Sequence, residues 1–349
     1  MRFSEIIGNE ELKQQLVRMV RDGRLGHAIL FVEESGGGAF AFALALAQLV
    51  NCLDPQEDDS CGVCPSCHKY RKLIHPDLHF VFPVSSSPQL SESEKKAPLS
   101  DYFLPAFREL ALSDPYFTEP MLYEALGIEN KSGLISAGEA RRIFEKLSLR
   151  AAEGSWKTML IYLPEKMNLE AANKLLKLLE EPPVGTLFLL VTHQPERLLP
   201  TIRSRCQTIA LKPLSRAESA RTAGGRDGDN AEYREIAKSL LEAGLAKRII
   251  DTFPQWEMLA DLGREKQRDW CLYFEQYIRK IYLVANGLDV LADLSGQEEA
   301  TIRGFAARIK PGFYEKAFKA VDATLSAVGS NVNPKLCFCD LSNRLLLAL

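Results

Sequence analysis

Four of the chain's eight cysteines, Cys52, Cys61, Cys64 and Cys67, follow the spacing C-x8-C-x2-C-x2-C. Thiolates two residues apart grip one ion from a tight knuckle, and four of them complete a tetrahedral zinc shell. Gly62 and Pro65 suit the turns of such a knuckle. His68 is adjacent, but four sulfurs already close the site, and a closed site is structural, without an open position for catalysis. In a reducing compartment metal is favoured over disulfides. The spacing predicts one structural Zn2+. Cys271 falls in a helical stretch and reads as core. Cys337 and Cys339 have no second pair to form a metal site with.

A second constellation follows the apolar run Ala28 to Val32: Glu33-Glu34-Ser35-Gly36-Gly37-Gly38-Ala39-Phe40. Strand, glycine turn and helix is the layout of a phosphate-binding loop, G-x-x-x-x-G-K-[ST]. Its backbone N–H groups cradle phosphates, its Lys reaches the β/γ-phosphates and its hydroxyl residue holds Mg2+. Here Gly38 closes the turn and Gly36 lies within it, but Glu33 replaces the first Gly, Ala39 the Lys and Phe40 the hydroxyl. Two carboxylates flank the phosphate path, and a like-charge pair at 4 Å costs about 1 kcal/mol in water, more where shielded. The strand at 158–163 ends in Tyr162-Leu163, where a nucleotide hydrolase needs an Asp-Glu pair for Mg2+ and water. Glu165 reads as a solvent-facing turn residue. Taken alone, the loop reads first as a plain glycine turn of an α/β protein, because short glycine patterns recur by chance.

These residues must be held by a scaffold, and the 349 residues suffice for two to three domains at about 150 each. With 46% hydrophobic and 26% charged residues the chain is neither collagen-like, wholly disordered nor a small disulfide scaffold. Lys and Arg number 43 against 46 Asp and Glu, a net charge of −3, which argues against a generally basic nucleic-acid coat. No apolar run reaches the roughly 20 residues of a membrane span. The opening Met1-Arg2-Phe3-Ser4-Glu5 lacks the basic region and apolar core of a signal peptide. A cytoplasmic protein without membrane contact is expected.

Periodicity predicts helices over 10–21, 39–50, 136–150 and 169–181, and strands over 28–32, 158–163 and 187–192. The 169–181 helix has an Asn168 cap, an apolar face of Ala172, Leu175, Leu176 and Leu179, and a stop at Pro182-Pro183. Strands separated by helices imply a mostly parallel sheet with helices on both faces. Residues 85–98 read as a surface loop, and 217–230, with Gly224-Gly225 and Gly228, as another. Beyond them the pattern is helical over 231–250, 268–284, 297–307, 314–327 and 336–349. The fold class is α/β followed by all-α.

The ordered combination resembles bacterial clamp-loader subunits of the AAA+ class. His27-Ala28-Ile29-Leu30-Phe31, the loop to Gly38, Asn51-Cys52, the cysteine knuckle and His75-Pro76-Asp77 follow one another as in that family. Asn173 to Pro183 is similar to its N-x-L-L-K-x-L-E-E-P-P signature, Leu198 to Cys206 to its L-x-x-T-I-x-S-R-C segment, and Asn333-Pro334-Lys335-Leu336 with Asp340-Leu341 to its collar. The match is good over most of 1–212 and weak beyond. It implies a RecA-like AAA+ domain, 1–212, with a zinc-binding insertion at 52–67, a small helical lid, 213–255, and a helical collar, 256–349.

The family has ATP-hydrolysing subunits (gamma/tau) and a type that does not hydrolyse ATP. The altered loop and missing Asp-Glu resemble the latter, so no ATP is expected in this subunit. The resemblance implies that Arg205 of Ser204-Arg205-Cys206 reaches the ATP of a neighbour, with Ser204 and Cys206 positioning it. A guanidinium supplied in trans neutralises charge developing on the transferred phosphoryl group. Thr192 takes the phosphate-sensing position, without a phosphate to sense. The implied partners are gamma/tau and delta subunits in a hetero-pentamer of the DNA polymerase III holoenzyme, and, through it, the sliding clamp and primed DNA. Two competing readings differ in class: an active ATPase with displaced catalytic residues, and a zinc-containing nucleic-acid-binding module. The short cluster Lys69, Arg71, Lys72 is the sole basic feature near the knuckle that favours the latter.

Overall fold

The computed structural model describes residues 1–349 except 34–35, 130, 216–217, 219–220, 223–226, 293, 295 and 331. The chain divides into two compact units, Met1–Gly225 and Arg226–Leu349.

The first unit is built on five parallel strands, β1 (Ala28–Val32), β2 (Leu78–Val81), β3 (Lys157–Tyr162), β4 (Thr186–Thr192) and β5 (Gln207–Ala210), in the order β2-β3-β4-β1-β5. The central strands are nearly continuous apolar runs because both of their faces are covered. Alternation then sorts the side chains. Ile29, Phe31, Leu160, Tyr162, Leu187, Leu189 and Val191 join one apolar cluster. Ala28, Leu30, Met159, Ile161, Phe188 and Leu190 join the other. Helices α1 (Glu10–Arg21), α2 (Ala39–Val50) and α3 (Pro65–Arg71) belong with the first cluster. So do α4 (Glu92–Lys96), α5 (Leu104–Ser113) and α6 (Glu119–Ala125) or the segments joining them. Helices α7 (Ala137–Ser148), α8 (Leu169–Glu180) and α9 (Pro200–Arg203) cover the second.

The long elements of this first unit fall within a residue or two of their expected bounds. Asn168 caps α8, its Oδ1 accepting from the Ala171 N–H at 2.8 Å. Four features depart from expectation. The loop over 85–98 contains α4, started by a capping box in which Ser91 and Glu94 bond each other's backbone N–H. Strand β2 is split by His79, so its apolar signal is short. Strand β5 is an edge strand whose Gln207, Thr208 and Ala210 are exposed, which leaves no apolar run to read. On α8, Leu178 is buried while the expected core residue Leu176 is only partly so.

The second unit is helical: Asp227–Leu245, Phe253–Asp261, Arg264–Ala285, Gly296–Ala306, Gly312–Gly329 and Pro334–Ala348 are its longer helices. Ile236, Leu240, Trp270, Cys271, Phe274, Phe305, Phe313, Phe338 and Leu341 form one apolar core. Cys271 is core, as its sequence context implies. The helix expected over 231–250 starts earlier, taking in Gly228, and ends at Leu245, before Lys247 turns left-handed at φ +54°. Much of the loop read at 217–230, Gly224 and Gly225 included, lies outside the described residues. Among the described residues no helix is long and apolar enough to cross a membrane.

One buried polar tie holds the cysteine-bearing segment to the sheet. The Asp77 carboxylate accepts three successive backbone N–H groups, from Ala152 at 2.6 Å, Glu153 at 2.9 Å and Gly154 at 2.7 Å. Burial opposes its charge, yet these three donors hold its carboxyl below the usual carboxylate range. His75 stacks on Tyr70 with ring centroids 4.5 Å apart and accepts the Asp77 N–H at Nδ1. Burial holds it neutral, lowering its basicity against the opposing charge of Asp77. Asn51 completes the tie by donating to the Tyr70 hydroxyl and the Trp156 carbonyl and accepting from the Trp156 N–H. Both titrations have folded values below unfolded ones, so their contribution is present at neutral pH and is lost on acidification. The loss starts below about pH 6.5 for His75 and about pH 3.9 for Asp77. Asp77→Asn is expected to lower unfolding free energy by on the order of 2 kcal/mol at pH 7. It is also expected to flatten the acid limb of stability against pH, as read by urea titrations between pH 3 and pH 7.

Candidate functional site

In a parallel α/β sheet, ligands bind outside the carboxyl ends of the strands. At that edge Glu33 follows β1, Glu165 follows β3 and Thr192 ends β4. Helix α2 begins at Ala39 with Gly38 as its cap, and Gly38 offers no side chain to the free N–H groups of the first turn. Glu33, only 6% exposed, turns its carboxylate onto that end: Oε2 accepts the Ala39 N–H at 2.7 Å. An anion is favoured there by the aligned helix dipole. Its other oxygen lies 3.3 Å from Nε2 of His193. The chain's own carboxylate thus takes a donor that a phosphate-binding loop presents to nucleotide. Glu34 and Ser35 lie outside the described residues.

The space above the loop is filled from 114–117, in the long stretch between Val84 and Leu134. The Tyr116 ring stands against Gly38, which has φ +96°; a Cβ on Gly38 would lie 2.6 Å from the ring edge. Its hydroxyl accepts the Ile7 N–H at 2.7 Å and its own N–H donates to Asp114 Oδ1 at 2.9 Å. Phe40 points away from the loop into an aromatic cluster, 4.9 Å from Phe117, 5.7 Å from Phe107 and 6.0 Å from Tyr162 between ring centroids. Aromatic pairs of this kind add about 0.5–1.5 kcal/mol each beyond burial. Tyr162 is wholly buried, which pushes its phenol well above the usual range, and it donates to the Phe117 carbonyl at 3.3 Å. The position expected to carry a Mg2+-binding acid therefore carries a neutral phenol packed on rings.

Glu165 corrects its expected role. It does not simply face solvent: its carboxylate accepts from the Thr192 hydroxyl at 2.8 Å and the His193 N–H at 3.0 Å, so it joins the turn after β3 to the end of β4. The phosphate-sensing position, Thr192, is thereby engaged within the chain.

Arg205 lies elsewhere. It precedes β5, whose Gln207 pairs with Ile29 at the start of β1, whereas Glu33 follows the far end of β1. Four strand residues of about 3.3 Å each separate these levels, more than about 13 Å. Arg205 is 35% exposed in its side chain. Its NH1 donates to the Thr201 carbonyl at 3.0 Å, and its NH2 lies 2.6 Å from Glu180 Oε1 at the end of α8. Ser204 also donates to the Thr201 carbonyl, at 3.1 Å. Cys206 packs on the second apolar cluster, and burial raises its thiol to about 11. Glu180, Tyr116 and His193 escape the reading from sequence. The sequence signal for Glu180 is a carboxylate in the last turn of a helix, where the dipole disfavours it.

The four knuckle cysteines converge. Their sulfurs lie within 4.8 Å of one another, with 3.5 Å between Cys52 and Cys61, 3.6 Å between Cys67 and Cys52, and 3.9 Å between Cys61 and Cys67. A tetrahedron with bonds of about 2.3 Å to zinc has edges of about 3.8 Å. These separations far exceed a disulfide's roughly 2.05 Å. Backbone N–H groups of Cys61, Cys64 and Cys67 donate to the sulfurs of Cys52, Cys61 and Cys64 at 3.3, 3.3 and 3.4 Å. Burial works against the charged form of Cys64, but these donors outweigh it and lower the Cys64 thiol to about 7, whereas burial raises that of Cys52. The cluster could hold one metal ion.

Comparison with known proteins covers the unit that carries these residues. The model of the family described as DNA polymerase III, delta subunit, matches residues 8–215. The DNA polymerase III subunit delta' of Bacillus subtilis (strain 168) is 30% identical over 199 residues, 57% of this chain and 46% of the relative. That of Escherichia coli (strain K12) is 30% identical over 200 residues, again 57% and 46%. The tau subunit of Escherichia coli (strain K12) is 26% identical over 212 residues, 61% of this chain and 26% of the relative. The chain spans about half the length of the delta' relatives it matches.

The close approach of Tyr116 to Gly38 is directly testable. Gly38→Ala adds a Cβ against the ring in a left-handed conformation, and is expected to destabilise the chain by about 1–3 kcal/mol. Urea denaturation checks this, and the same substitution combined with Tyr116→Ala is expected to cost less than the sum of the two.

Proposed function

The chain belongs to the DNA polymerase III delta-subunit family, and from that premise we propose that it is a delta'-type clamp-loader subunit that does not hydrolyse ATP and supplies Arg205 to a neighbour's ATP site. The observation that carries this reading is an opposition within one sheet. The end that faces a nucleotide in a phosphate-loop protein is occupied by Glu33 and Tyr116, while a held, partly exposed arginine stands at the other end of the edge strand. That arginine is out of reach of its own glycine loop, which supports a role toward a second subunit.

In this reading gamma/tau-type subunits hold the ATP. A guanidinium entering from outside stabilises charge on the transferred phosphoryl group, an effect of about 10^3–10^5 in rate where such fingers act. The chain works beside gamma/tau and delta subunits in a pentamer that opens the sliding clamp onto primed DNA. Its parts are a RecA-like domain, 1–212, a helical lid, 213–255, and a collar, 256–349. Ser204 and Cys206 bracket the finger, Ser204 by sharing its carbonyl anchor and Cys206 by anchoring the turn in the core. Zinc at Cys52, Cys61, Cys64 and Cys67 has a structural part: it closes the insertion ahead of α3.

Reconstituting the loader tests the catalytic reading. Arg205→Ala is expected to spare assembly but to lower clamp- and DNA-stimulated ATP hydrolysis at least tenfold, and Arg205→Lys to restore little of it, because the planar fork is lost. Unchanged hydrolysis, or Mg2+-dependent micromolar ATP binding by the chain on its own, would overturn it.

The metal reading predicts one zinc per chain by elemental analysis. Chelation or Cys64→Ser is expected to lower the unfolding midpoint by several degrees. Well under one zinc per chain in freshly purified protein counts against it.

A further inference from the structure

The trans arginine needs its own support, and the structure assigns that task to a residue outside the Ser204-Arg205-Cys206 segment. We infer that Glu180 is the positioning residue of Arg205, an inference that rests on the reading of Arg205 as a trans finger. Two groups hold the guanidinium from two helices: Glu180 Oε1 at the end of α8 lies 2.6 Å from NH2, and the Thr201 carbonyl in α9 accepts from NH1 at 3.0 Å. A planar fork anchored at both terminal nitrogens is fixed in plane and direction. One of its five N–H donors is hydrogen-bonded, to the Thr201 carbonyl, while Glu180 holds the guanidinium as an ion pair, which leaves N–H groups for phosphoryl oxygens.

The anchor is itself rigid. Leu178 and Leu179 of α8 and Ile202 of α9 are buried in one apolar cluster. A ring nitrogen of His27, at the mouth of β1, lies 2.9 Å from the Leu179 carbonyl. The backbone that carries Glu180 is thus packed in the same apolar cluster as the helix that carries Thr201. The side chain of Arg205 is ordered before a neighbour arrives, so the reaction does not have to order it.

Local rules do not explain Glu180. A carboxylate in the last turn of a helix opposes the helix dipole, and Glu181 follows it at the cap. A residue that breaks a local rule while meeting a functional side chain marks a site where function outweighs local stability. The pair adds little to stability, because Glu180 is 47% and Arg205 35% exposed and such pairs are screened by water. Removing Glu180 should therefore change the finger and not the fold.

The test uses the complete reconstituted loader with its ATP-hydrolysing partner subunits, clamp and primed DNA. Glu180→Ala is expected to lower kcat for stimulated ATP hydrolysis about tenfold (about 1.4 kcal/mol), with KM for ATP and the thermal midpoint of the chain nearly unchanged. Glu180→Gln, which keeps an acceptor without the charge, is expected to fall between the two. The decisive comparison is Arg205→Ala/Glu180→Ala, which should hydrolyse ATP no more slowly than Arg205→Ala alone, because a positioning residue has nothing to position once the arginine is gone. Wild-type kcat in Glu180→Ala while Arg205→Ala is impaired overturns the role of Glu180, and so does an additive loss in the double variant. An Arg205→Ala loader of wild-type activity overturns the finger reading instead. Should Glu180→Ala fail to assemble, the near-isosteric Glu180→Gln decides by the same double-variant criterion.

Discussion

Helix α2 is buried along almost its whole length, from Ala39 to Leu49, and this constrains everything at the carboxyl edge of the sheet. A helix sealed from water cannot leave the N–H groups of its first turn unpaired, and its dipole calls for negative charge at that end. A phosphate-loop protein meets the requirement with bound nucleotide. This chain uses an internal ligand: Glu33 reaches the Ala39 N–H, and His193 stands against the second carboxylate oxygen. Gly38 must be left-handed to start the helix there, and its missing side chain leaves the gap that Tyr116 fills. Phe40, Phe117 and Tyr162 then complete a dry aromatic wall behind the loop. The start of α2 is thus closed by groups of the chain itself.

The same sheet separates this closed edge from the Arg205 edge. Parallel pairing puts every strand's carboxyl end on one side, so a turn that enters β5 is on the side opposite the glycine loop. Arg205 is held on that side by α8 and α9, whose apolar residues are buried in the second cluster. The signature segment 173–183 therefore does two jobs. Its leucines cover the sheet, and its last helical residue carries the carboxylate that meets the arginine.

The cysteine segment belongs to the same unit but relies on different forces. Its sulfurs converge at separations suited to a tetrahedral ion, and backbone N–H groups point at three of them. The His75-Pro76-Asp77 segment and Asn51 fasten it to the segment that leads into β3 through Asp77's three backbone donors and the Trp156 backbone. Polar ties suit this place, because a short cysteine-rich loop has little apolar surface of its own to bury.

Much was legible in the sequence for reasons of period and spacing. Leucines and alanines at helical spacing mark α8, unbroken apolar runs mark β1, β3 and β4, four cysteines at knuckle spacing mark the metal-competent cluster, and the glycines after β1 mark the turn that starts α2. These signals are local, so one stretch of chain carries each. Strands β2 and β5 were not legible, because His79 and the exposed edge remove the apolar run. The partners of Glu33, Glu165 and Arg205 were not legible either. Tyr116 meets Gly38 and Glu180 meets Arg205 across long separations in sequence, and no local pattern encodes a contact between distant segments. The sequence by itself determined which residues stand at each position of the glycine loop and that an arginine lies between Ser204 and Cys206. Only the tertiary structure decided what fills the phosphate position and what holds the arginine, because both depend on how parallel pairing and the two buried faces bring remote side chains within bonding distance.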